Sequence, residues 1–160
     1  MIQGLPDGLV GGVEFDVRGI VQLASPPLEQ YAPGYPLTIE GIPLGQSCRR
    51  LHFLHATGWG GFVTNGALTG SYVLHYRDGA KEEIPLRNGE DFLGWQGYRA
   101  QPDLKQATVV WRGRNARNVQ VQLFKKTWVN PRPDAPIASL DFVSAKTAAA
   151  PFLVAITAEK

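Results

Sequence analysis

The chain has 160 residues, 44% hydrophobic and 19% charged, which supplies a real core for one domain and too few charges for a disordered chain. The net charge of +2 comes from Lys and Arg that are spread out and form no stripe, so there is no electrostatic case for nucleic acid. No apolar run approaches the roughly 18–20 residues of a membrane helix, and a single cysteine, Cys48, rules out an intrachain disulfide.

Taken in order, residues 1–12 are rich in Gly, Pro and Asp and read as a peripheral segment wrapping the surface. Met1-Ile2-Gln3-Gly4 leads straight into turn residues without a secretory signal pattern, so an exported parent would make this chain a module excised from something larger. Residues 13–18 (VEFDVR) set Val13, Phe15 and Val17 against Glu14, Asp16 and Arg18, the alternation of a half-buried strand. Residues 20–23 form a second short strand. Residues 25–36 (SPPLEQYAPGYP) hold four prolines and two tyrosines and read as irregular, because each Pro removes a ladder donor. Residues 37–42 follow as a strand.

Residues 50–86 hold three strands, near 50–56, 70–76 and 81–86. The last two flank Arg77-Asp78-Gly79, and Asp-Gly between alternating runs is a strong hairpin signal. Residues 88–105 are the longest irregular stretch. Strands follow at 107–112, 118–129, 137–144 and 152–158; Ala148-Ala149-Ala150 before Pro151 allows at most one helical turn. About ten short strands and no amphipathic helix of ordinary length predict an all-β domain, a sandwich of two sheets or a barrel. No fixed repeat is present, which argues against a propeller.

Several strings resemble a recurring bacterial module: VEFDVRGIVQLAS near the start, LHFLHATGW, GSYVLHYRDGAKEEIPL with GEDFLGW behind it, KTWVNPRPDAPIASLDFVS, and APFLVAITAE at the end. That module occurs as an accessory domain in large exported proteins, often beside glycoside-hydrolase or other catalytic domains. The resemblance runs from about Val13 to Glu159. It implies a two-sheet antiparallel β-sandwich, a jelly roll similar to galactose-binding-like carbohydrate-binding modules. It also implies an extracellular or periplasmic setting and an attached catalytic domain as partner. It carries no ligand-contacting residues, because its motifs are strand and turn residues and fold does not imply function.

Catalytic signatures are sparse. His52 and His55 lie three apart on one strand and point to opposite faces. His55 and His75 would meet only if their strands paired, as at the start of a metal-dependent β-barrel site, yet a further His and a carboxylate at ligand spacing are wanting. Glu90 and Asp91 are adjacent, whereas a glycosidase holds two carboxyls about 5–9 Å apart across a sugar; Asp103, Glu29 or Glu40 would have to supply the second. No nucleophile elbow, Walker loop or dinucleotide fingerprint occurs.

Binding is better supplied. Sugars offer C–H faces to aromatic rings and hydroxyls to planar polar groups. Trp95 and Tyr98 share a loop with Asn88, Glu90, Asp91, Gln96 and Arg99; Tyr31 and Tyr35 lie in the proline-rich stretch; Trp59 lies in a Gly-rich turn. Trp111 and Trp128 sit in strands and read as packing residues, a reading also open for Trp59. Asp16, Asp141 and Glu159 are candidates for a structural calcium ion, since jelly-roll modules often hold one with loop carboxylates. The expectation is a non-catalytic carbohydrate-binding module with no required cofactor that takes a polysaccharide or oligosaccharide, and neither nucleic acid nor membrane. A structural or protein-interaction sandwich without a sugar site, and a small metal-dependent β-barrel enzyme, stand as alternatives.

Overall fold

The computed structural model describes residues 5–6, 8–96 and 104–160. Its strands are β1 (Gly8–Val10), β2 (Val13–Phe15), β3 (Val21–Gln22), β4 (Thr38–Gln46), β5 (Arg50–Gly58), β6 (Leu68–Tyr76), β7 (Lys81–Arg87), β8 (Ala107–Arg114), β9 (Gln120–Val129), β10 (Ile137–Ser144) and β11 (Ala150–Glu159). One short helix, α1 (Pro26–Tyr31), lies between β3 and β4. Among the described residues no helix is long and apolar enough to cross a membrane.

The protein is an all-β, two-sheet antiparallel sandwich. One sheet runs β4-β10-β6-β7 and the other β3-β11-β5-β9-β8. The pairs β3 with β11, β4 with β10, β5 with β9 and β6 with β7 are all antiparallel. The chain is therefore doubled back on itself about the turn between β6 and β7, and the doubled ribbon is wrapped into two sheets, which is jelly-roll topology. Strand β8 is an addition at the edge, paired among the described residues only with β9. The sheets do not close on one another, so a barrel is excluded. The free edge of β7 carries Lys81, Glu82, Glu83 and Pro85, which discourage pairing with another chain.

The ladder between β6 and β7 places Tyr76 near Ala80, and Asp78 Oδ1 accepts the Ala80 N–H at 3.0 Å. Gly79 takes the positive φ of 90° that this turn requires. In β5, every residue after Arg50 is buried, because the strand lies mid-sheet and is covered on both faces. Its inward side chains meet β6: the rings of Phe53 and Tyr72 stack with centroids 4.2 Å apart, and Phe142 of β10 lies 4.9 Å from Tyr72. Its outward side is sealed by the β1–β2 hairpin, which takes hydrogen bonds from Thr157 Oγ1 to Glu14 O (2.6 Å) and from Lys125 Nζ to Gly11 O (2.5 Å). His52 and His55 face opposite ways, as strand alternation requires.

Three expectations are corrected. Residues 25–36 are not wholly irregular, because α1 occupies their first half. Ser25 caps it, its Oγ accepting the Leu28 N–H at 3.4 Å, and the two prolines sit at the first two helical positions, where the missing N–H costs nothing. The 13–18 strand pairs only as far as Phe15, and the segment before it contributes β1 instead of merely wrapping the surface. His55 and His75 cannot share a ladder, since β5 and β6 belong to different sheets.

Candidate ligand-binding cleft

The rings predicted from separate loops converge at one end of the five-stranded sheet. Strands β5 and β9 pair from Arg50↔Val129 to His55↔Phe124 and then splay. The backbone after Phe92 slips into the gap: Thr57 N donates to Leu93 O (3.3 Å), Trp95 N to Thr57 O (2.9 Å) and Gln122 N to Trp95 O (2.8 Å). Trp95 is thereby fixed beside the sheet, its ring edge-on to Phe152 with centroids 5.9 Å apart.

On one side stands the turn after β5. Trp59 holds a left-handed backbone, φ 52°, ahead of a single 3-10 turn, Gly60–Phe62. A non-glycine residue there costs about 1–2 kcal/mol, so the surroundings must hold it. They do so through Asn88, whose Nδ2 donates to Gly60 O at 3.2 Å and to Val63 O at 2.9 Å. Gly60 itself has no room for a side chain: a Cβ would come 2.9 Å from the Gly94 nitrogen. Facing this turn is the end of α1. Leu28 is the buried residue that fastens the helix down, Ala32 N closes its last turn on Leu28 O at 2.7 Å, and Gly34, at φ 102°, lets the chain turn back so that Ala24 N reaches Pro36 O at 2.7 Å. Tyr31 and Tyr35 are carried out on this arm, 66% and 44% exposed.

Between the two sides lies an open cleft of about 770 Å³. Tyr31, Tyr35, Trp59, Phe62 and Trp95 line it, with Gln22, Gln96 and Arg117 among the polar groups. Phe62 is 76% exposed. With Tyr31 and Tyr35 it makes three exposed rings on one cleft, a grouping more informative than any one of them alone. The cleft thus joins ring faces to planar amide and guanidinium groups, the combination suited to a ligand with both apolar faces and hydroxyls.

Four predicted aromatic residues therefore meet here: Tyr31, Tyr35, Trp59 and Trp95. Tyr98 and Arg99, with Asp103, lie outside the described residues. Asn88 and Asp91 are corrections: they are 1% and 3% exposed and turned inward. Asn88 braces the Trp59 turn from beneath. Asp91 holds Lys126 Nζ at 2.5 Å and the Arg87 N–H at 2.6 Å, a charged pair enclosed between the sheets. Its carbonyl oxygen accepts His55 Nε2–H at 2.9 Å, which leaves His55 Nδ1 to accept from the Tyr72 hydroxyl at 2.8 Å. Burial, with Lys126 adding to it and the Asp91 carbonyl opposing, pushes the His55 pKa down to about 3, so it stays neutral. Glu90 does not line the cleft; its carbonyl accepts the Gln106 N–H at 2.9 Å. Phe62, Gln22 and Arg117 escaped the sequence reading. A Phe directly after Gly-Gly was the one available signal; Arg117 belongs to the Lys and Arg that are spread along the chain without a stripe.

The calcium candidates lie in separate ion pairs. Asp16 pairs with Arg18 at 2.8 Å, Glu159 with Arg50 and His52 at 2.8 Å each, and Asp141 with His75 at 2.7 Å while also accepting the Gly41 N–H at 2.9 Å. Among the described residues no three His, Cys, Asp or Glu side chains gather where a metal ion would sit. Each of the three carboxylates is matched by a cationic or N–H partner.

Searches of protein-family models, curated proteins and solved structures give no match to this chain.

Proposed function

We propose that this protein is a non-catalytic carbohydrate-binding module that holds an attached catalytic domain of an exported bacterial protein near a polysaccharide. The single observation that supports this is the aromatic cleft: Tyr35 and Phe62 stand exposed on elements anchored by Leu28 and Asn88, with amide and guanidinium groups beside them. A sugar's C–H face laid on such a ring removes apolar area from water at about 25 cal/mol per Å², so several rings in one open cleft give the modest affinity that repeated contacts along a polymer build into retention. The resemblance of its strand and turn motifs to accessory modules beside glycoside hydrolases points the same way.

The test is pull-down and affinity electrophoresis against soluble and insoluble polysaccharides, with Tyr35→Ala and Phe62→Ala alongside. Retention on at least one glycan, weakened in both variants, is expected. Retention on none removes the proposal and favours an interaction module without a sugar site; retention unchanged from wild type in both variants removes this cleft as the site.

A further inference from the structure

The lining of the cleft is lopsided in charge. Arg117 is the one ionisable cation lining it, and no Asp or Glu does so among the described residues. Arg117 is presented by a stiff turn between β8 and β9. Asn115 Oδ1 accepts the N–H groups of both Arg117 and Val119 at 3.0 Å, and Asn118 takes φ 60° to close the turn. Across the cleft, Arg117 Nη2 donates to the Tyr31 hydroxyl at 2.5 Å, and its guanidinium carbon lies 5.9 Å from the centre of that ring.

Neither partner neutralises the charge. Among the described residues no carboxylate is paired with Arg117. Glu29, two residues before Tyr31, is turned to the Gly34 N–H at 3.4 Å. The sequence from 104 to 129 contains no acid at all. Elsewhere on the surface the exposed arginines Arg18, Arg50 and Arg132 each have an acid. Tyr31 takes only one of the five guanidinium N–H donors, and what remains includes a planar fork suited to two oxygens of one carboxylate.

Building on the sugar-binding reading of this cleft, we infer that the sugar unit seated beside Tyr31 carries a carboxylate, so that the ligand class is a uronate-containing polysaccharide. The rings hold the C–H faces of the chain while Arg117 selects the acid. A sulfate ester offers the same charge in tetrahedral geometry, and the test separates the two.

The experiment is isothermal titration of the intact chain with oligogalacturonates, their methyl esters, alginate oligomers, sulfated dextran and neutral gluco- and xylo-oligomers, for wild type, Arg117→Gln and Arg117→Lys. The expected result is binding to an acidic uronate oligomer about tenfold tighter than to the matched ester or to any neutral oligomer. That preference should vanish in Arg117→Gln, survive in part in Arg117→Lys, and shrink between about 50 and 500 mM salt. Equal affinity for acid and ester, an unchanged preference in Arg117→Gln, or tighter binding to sulfated dextran overturns the inference. Binding to neutral oligomers alone overturns it and leaves the sugar-binding reading standing; binding to no glycan removes both.

Discussion

Residues 88–96 face two ways, and the contrast is instructive. Asn88 and Asp91 turn into the sandwich, where each polar atom that bonds is committed to the fold. Trp95 and Gln96, a few positions on, line the open cleft. The same loop composition thus yields a brace and a cleft-lining face, and what separates them is how much of each side chain the two sheets enclose. The inward half uses its chemistry to hold shape; in the outward half Trp95 rests one edge on Phe152 and still lines the open cleft, and Gln96 is exposed beside it.

Breaking the inward half should have the largest effect. Asp91→Ala leaves Lys126 enclosed without a counter-charge, and an unfolding free energy lower by about 3–5 kcal/mol is expected in urea titrations. If the midpoint hardly moves, the pair is not enclosed as described. Acid should act on the same cluster. His55 has a folded pKa of about 3, below its ordinary 6.5, so its contribution is complete above pH 6.5 and is lost as the pH falls toward 3. The expected slope is up to about 1.4 kcal/mol per pH unit, read as a falling urea midpoint between about pH 7 and 5. A flat profile over that window would contradict the neutral, buried ring.

Gly60, in the turn after β5, packs against both ends of this segment, at Asn88 and at Gly94. Gly60→Ala places a methyl 2.9 Å from the Gly94 nitrogen, a backbone atom that cannot step aside. A loss of about 1–3 kcal/mol is expected, together with weaker glycan binding because the Trp59 turn is pushed out of place. The exposed rings that face this segment across the cleft should be nearly silent in stability. Tyr35→Ala and Phe62→Ala remove exposed rings and are expected to change unfolding by less than about 0.5 kcal/mol while weakening glycan binding roughly two- to tenfold each.

Much of the fold was legible in the chain. The alternation around Asp78-Gly79 and the runs at 107–112, 118–129, 137–144 and 152–158 each correspond to a strand, because period-two patterning with turn residues at the ends records which face is buried. Strand β1 is too short for any periodicity. The helix α1 was hidden by its prolines, although Ser25 followed by Pro-Pro and Glu29 is a capped start once the first-turn tolerance for Pro is applied. At the cleft, Tyr31, Tyr35, Trp59 and Trp95 were named as rings on connections, yet sequence could not show that they share one end. That convergence depends on the splaying of β5 from β9, a long-range event. Asn88 and Asp91 misled because Asn and Asp in a loop read as solvent-facing, whereas here backbone carbonyls and a lysine meet them inside.

The most direct test couples two readouts on one variant. The Tyr35→Ala/Phe62→Ala double variant and wild type are melted side by side and then titrated onto whichever polysaccharide retains the wild type. If the exposed rings serve binding and not folding, the melting curves superimpose while retention drops by about tenfold or more. Full retention by the double variant, or a wild type that no polysaccharide holds, would contradict that division of labour.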